Sequence, residues 1–145
     1  MPSNTHQWLL LWVARKMTVD GFQLGGYEGP TPQGGVWNTL PIPFEIAGVR
    51  PDAWGVVPAT GELAVGEAKT ATDLASEHTQ KQLRVLGNLL QRRQKTFCRL
   101  YLAVPRSAAM ALDRALTRAA LIGDNRVVRL HIPDCMVTEK VNECA

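Results

Sequence analysis

Cysteine is scarce: three in 145 residues, Cys98, Cys135 and Cys144, odd in number and widely spaced. That speaks against a disulfide scaffold and for a reducing cytosol. Long apolar runs are missing too. The stretch Trp8–Ala14 is far too short to span a bilayer. Arg15 and Lys16 follow that run instead of preceding it, so it does not read as a signal peptide. No Gly-Lys-Ser/Thr closes the glycine-rich stretch 21–35, which argues against a phosphate-cradling loop. Acids are absent between Glu77 and Asp113, where Lys81, Arg84, Arg92, Arg93, Lys95, Arg99 and Arg106 supply seven positive charges. Such an excess attracts polyanions, nucleic acid first among them, although the same run also reads as a solvated helix face.

What is present is globular. Apolar residues make up 46% and charged ones 20%, with a modest net charge of +3. A chain of this length suits one domain, residues 1–145, with a core of its own.

Periodicity sets the order of elements. Residues 3–17 read as a helix capped by Asn4 or Thr5, with Trp8, Leu11, Trp12 and Arg15 at helical spacing. The two tryptophans are core residues or part of a dimer contact. Six glycines with Pro30 and Pro32 make 21–35 a loop. Residues 40–47 read as an edge strand, because Pro41 and Pro43 cannot donate to a central ladder. Residues 52–57 and 63–69 form two more strands, joined by a short turn at Gly61. Thr72 or Asp73 then caps a long helix to about Arg93, and 97–104 is a strand buried on both faces. Residues 107–122 form a helix with Ala108, Leu112, Ala115, Leu116, Ala119 and Ile122 on one face. A strand at 127–132 closes the series. The order αβββαβαβ implies an α/β three-layer sandwich around a central mixed sheet.

Charge stands out within this frame. On the strand 63–69, Leu63, Val65, Glu67 and Lys69 share one face, and the small residues Ala64, Gly66 and Ala68 share the other, as if a helix packs closely there. The hairpin brings Asp52 beside the Glu67–Lys69 end. Two carboxylates suffice to hold Mg²⁺ beside a phosphate, and a lysine can orient a water and offset growing charge. The competing reading is a surface ion pair contributing roughly 0–1 kcal/mol. On the long helix, Gln82 falls within the buried stripe, whereas Lys81, Arg84 and Asn88 lie opposite. A buried amide without a partner costs about 1–3 kcal/mol, so Gln82 should be hydrogen-bonded.

Pro51-Asp52, followed by Glu67-Ala68-Lys69 at the end of the next strand and just before a long helix, resembles the signature of the PD-(D/E)XK nuclease superfamily. The resemblance covers roughly residues 3–132 and implies a restriction-endonuclease-like core. It implies that Asp52, Glu67 and the backbone carbonyl of Ala68 ligate Mg²⁺, with Mn²⁺ able to replace it, and that Lys69 positions the nucleophile. Gln82 resembles the glutamine that the resolvase and recombination-nuclease branches carry on this helix, with Gln80 as a less buried fallback. Many members add an acid from the first helix; residues 4–17 contain none, leaving Asp20 or Glu45 as substitutes. If neither reaches the site, one metal ion is expected rather than two. His131 and Cys135 lack a second pair and read as structural.

The expected activity is endo- or exonucleolytic hydrolysis of DNA phosphodiester bonds in the cytoplasm, structure-directed or nonspecific. Lys81, Arg84, Arg92, Arg93 and Lys95 would hold the DNA backbone. The expected assembly is a homodimer or a subunit of something larger, with no membrane. The alternative is a noncatalytic member of the same fold that binds nucleic acid or a partner.

Overall fold

The computed structural model describes residues 4–29, 40–92 and 98–137. Helix α1 (Asn4–Val19) leads into strands β1 (Gln23–Tyr27), β2 (Ala53–Val56) and β3 (Leu63–Ala68). After these come helices α2 (Ala71–Leu74) and α3 (Glu77–Arg92), strand β4 (Cys98–Pro105), helix α4 (Ala109–Arg118) and strand β5 (Val127–Ile132). The five strands lie side by side in chain order, β1 to β3 antiparallel and β3 to β5 parallel. This is an α/β protein with a mixed sheet between two helical layers.

Alternation along β3 decides which layer each residue meets. Leu63 and Val65 join the core beneath α3 and α4, with Leu83, Leu86, Leu90, Leu112 and Leu116. Ala64 and Ala68 face the opposite core, built on Leu9, Leu10, Val13 and Met17 of α1. Gly66 lets α1 settle onto the sheet: a Cβ there would stand 2.4 Å from Val13 Cγ1. The buried face of α1 is therefore Leu9, Leu10, Val13, Ala14 and Met17, while Trp8 and Trp12 are only half-buried.

Several expectations are corrected. The first strand is 23–27, inside the stretch expected to be a loop. Its glycines serve clearance instead of turning, because Cβ atoms at Gly25 or Gly26 would collide with the Trp54 ring. Residues 40–47 form no strand. Pro41 contributes only a carbonyl, accepting from Tyr27 N–H, and Ile46 and Val49 close a tight turn through the left-handed Ala47 and Gly48. The long helix is broken. Thr70 and Asp73 form a capping box on α2, and Ser76 Oγ accepts the Thr79 amide to start α3 anew. Helix α4 ends at Arg118, leaving Ile122 exposed and Leu121 buried in its stead. Cys98 is buried, and Cys135 is disulfide-bonded. No helix among the described residues is long and apolar enough to cross a membrane.

Candidate active site

The site sits where β3 ends. Asp52, one residue before β2, is fixed by three hydrogen bonds whose donors are backbone amides. Its amide donates to the Gly66 carbonyl at 3.0 Å, its carbonyl accepts from Glu28 at 3.2 Å, and its Oδ2 accepts the Ala68 amide at 2.9 Å. Proline at position 51, itself buried, leads into this fixed geometry. Within a strand a residue's N–H and C=O point to the same edge. The Ala68 carbonyl is thereby turned toward the Asp52 edge as well.

Glu67 projects to the α3 side and is 1% exposed. Neither of its carboxyl oxygens accepts a hydrogen bond among the described residues. Lys69 Nζ lies 3.5 Å from Glu67 Oε2 and donates to Oε1 of Gln82 on α3. The Lys69 amide remains tied to the Ala103 carbonyl of β4, and the capping box seizes the chain at the next residue. Lys69 is consequently held at both ends of its side chain. At 7% exposure it is no surface ion pair.

Burial pushes the Glu67 carboxyl well above the ordinary carboxylate range, and the neighbouring Asp52 charge adds to this against the opposing pull of Lys69. Burial works on Asp52 in the same sense, but hydrogen bonds from His6 and the Ala68 amide outweigh it and hold that carboxyl low. Two carboxylates side by side cannot both ionise cheaply. The two carboxyls are thus pushed in opposite directions, Asp52 down and Glu67 up.

Asp52 and Gln82 open into a cleft of about 470 Å³, also lined by Glu28, Glu45, Arg50 and His78. Glu45 is exposed on its wall. Asp20 lies elsewhere, bonded to Tyr101 Oη at 2.7 Å and to Lys16, at the far end of α1. Gln80 is more buried than Gln82, the reverse of the expectation, and is structural: its Nε2 donates to the Ala115 carbonyl of α4. His131 is exposed on β5.

The basic residues spread along α3. Lys81 is exposed and its Nζ lies near Gly48 on the cleft wall, and Arg84 is exposed one turn on. Arg92 ends the helix ten residues past Gln82, roughly 15 Å along its axis. Arg93 and Lys95 lie outside the described residues.

One residue was missed. His6 on α1 places Nε2 3.3 Å from Asp52 Oδ2. Its signal was there to read: His6 stands four and seven residues before Leu10 and Val13, on the stripe that faces the sheet.

A divalent cation fits this donor set. Asp52 and Glu67 offer carboxylate oxygens, Ala68 a carbonyl, and the orphaned Glu67 oxygens are what a hard cation would satisfy. No group of three or more His, Cys, Asp or Glu that could hold a metal ion lies among the described residues.

No protein-family model matches the chain, and no curated protein does. The crystal structure of an XisH family protein from Nostoc punctiforme PCC 73102 is similar at 20% identity, over 94% of this chain and 95% of that one, with a TM-score of 0.47. A likeness of that degree says nothing of chemistry, which rests on the side chains described above.

Proposed function

We propose that this chain is a Mg²⁺-dependent nuclease with a PD-(D/E)XK site on a restriction-endonuclease-like core. It hydrolyses DNA phosphodiester bonds by DNA structure or without sequence preference. The observation that carries this reading is Glu67, a carboxyl group only 1% exposed whose oxygens accept no hydrogen bond among the described residues, set beside Asp52 and 3.5 Å from Lys69. A protein that merely needed a stable strand end would not bury two carboxyl groups side by side, since burial and mutual repulsion both oppose their ionisation.

Each residue then has a task. Asp52 and Glu67, with the Ala68 carbonyl, hold the cation. When bound, Mg²⁺ polarises the phosphoryl oxygen and acidifies a water. Lys69, aimed by Gln82, orients the attacking water and donates to the charge that grows on the phosphoryl oxygens, an interaction that strengthens in the transition state. Exposed cations on α3, led by Lys81, contact the DNA backbone without reading sequence. DNA is the partner, and a homodimer or a larger assembly is the setting proposed for so small a chain.

The test is cleavage of plasmid, branched and single-stranded DNA with Mg²⁺ or Mn²⁺, wild type beside Glu67→Gln. Wild type should cut at least one substrate and the variant none. If both bind DNA and both stay inert, the chain is a noncatalytic binding member of the fold.

A further inference from the structure

Helix α1 carries no acid, so it brings no carboxylate to the site. What it brings is His6, and the geometry shows what an imidazole does there. The His6 side chain is 18% exposed, on the face of α1 that packs against β3. Its Nε2 is 3.3 Å from Oδ2 of Asp52. The same Oδ2 accepts the Ala68 amide at 2.9 Å. One carboxylate oxygen thus takes both N–H donors, and the other takes neither. A carboxylate only accepts, so Nε2 must carry the proton and cannot ligate a metal while it does so.

Resting on the nuclease reading above, we infer that His6 is a positioning residue of the metal site: it pins Asp52 through Oδ2 and thereby makes Oδ1 the oxygen presented to the divalent cation. The backbone amide fixes the height of the carboxylate along β3, and the imidazole fixes its rotation. Without the second donor the carboxyl group turns about its Cβ–Cγ bond and shares its oxygens between Ala68 and the cation. Hydrogen-bond partners of ligating carboxylates act in this way, and their loss typically costs about 10–100-fold in metal affinity or activity.

Calorimetric titration of Mn²⁺ into the metal-free full chain decides the matter, with wild type, His6→Ala, His6→Gln and Glu67→Gln compared. His6→Ala should weaken Mn²⁺ binding about tenfold or more. His6→Gln, whose amide N–H can still reach Oδ2, should recover most of that loss. Cleavage by His6→Ala should rise toward wild type as Mn²⁺ is raised, whereas Lys69→Met should not respond. Should His6→Ala lose its helical circular dichroism, His6→Leu keeps the volume and carries the same expectation. Mn²⁺ affinity in His6→Ala equal to or tighter than wild type, with Glu67→Gln abolishing binding, overturns this inference alone. A wild type that takes up no Mn²⁺ overturns the nuclease reading and this inference together.

Discussion

Lys69, at the end of β3, donates from Nζ to Oε1 of Gln82 on α3, thirteen residues away and across a helix break. The bond is buried, and it ties the strand that carries both signature charges to the helix that walls the cleft. The same ammonium lies 3.5 Å from Glu67. Lys69 is the group whose loss best separates an enzyme from a binding module.

Lys69→Met should lower the cleavage rate about a hundredfold or more, as removal of one oxyanion-type donor does. DNA binding in Ca²⁺ should change little, since Asp52 and Glu67 remain. Gln82→Leu should follow in the same direction with a smaller loss, because Lys69 keeps Glu67 as a partner. Single-turnover rates beside binding isotherms measure both, and a Lys69→Met variant that cuts at the wild-type rate would sink the assignment.

Glu67→Gln should abolish cleavage yet stabilise the metal-free protein. In the folded chain the Glu67 carboxyl keeps its proton to higher pH than in the unfolded chain. The folded state therefore binds more protons over the window from the ordinary carboxylate value up to the raised one. Stability falls as pH rises through that window. The amide has no charge to lose, so the variant's melting temperature should depend less on pH and exceed wild type at neutral pH. Adding Mn²⁺ should reverse the order, since only wild type gains binding free energy. Melting curves from pH 5 to 8 with and without Mn²⁺ test this.

The strand carrying the signature was legible because period-two alternation left two charges where apolar residues were due. The order of elements was legible as well, but the first strand was assigned to the wrong segment. Gly25 and Gly26 look like loop residues until Trp54 lies over them, a packing that no local pattern announces. Local rules also missed the break at Ala75–Ser76, where a capping hydroxyl overrides a helical period that runs through it. His6 escaped because an acid was sought on α1, and the chain supplies instead a donor to an acid.

Replacing Lys81, Arg84 and Arg92 with alanine should weaken DNA binding about equally for unrelated sequences. The slope of log affinity against log salt should flatten by roughly 0.9 for each duplex phosphate that the variant no longer neutralises. Lys81 alone, beside the cleft wall at Gly48, should account for one such phosphate. An unchanged slope in the triple variant would mean that α3 presents only a solvated face.

The last prediction joins the fold to the site. Gly66 pairs with Ala53 of β2 and Tyr101 of β4, and its missing side chain is the space that Val13 occupies. A Cβ there meets Val13 Cγ1 at 2.4 Å, and valine cannot rotate away freely because its branched Cβ restricts χ1. Gly66→Ala should thus push α1 off the sheet at a cost of about 1–3 kcal/mol, the usual range for overpacking. His6 stands seven residues before Val13 on the same face of that helix, so the displacement carries the imidazole away from Asp52. The variant should melt several degrees lower and also lose Mn²⁺ affinity, though it alters no group that touches the cation. Val13→Ala makes room for the new methyl. The double variant should then be more stable than the sum of the single effects allows, and it should regain Mn²⁺ binding. Strictly additive effects in the double-mutant cycle would show that α1 and β3 do not meet at this point.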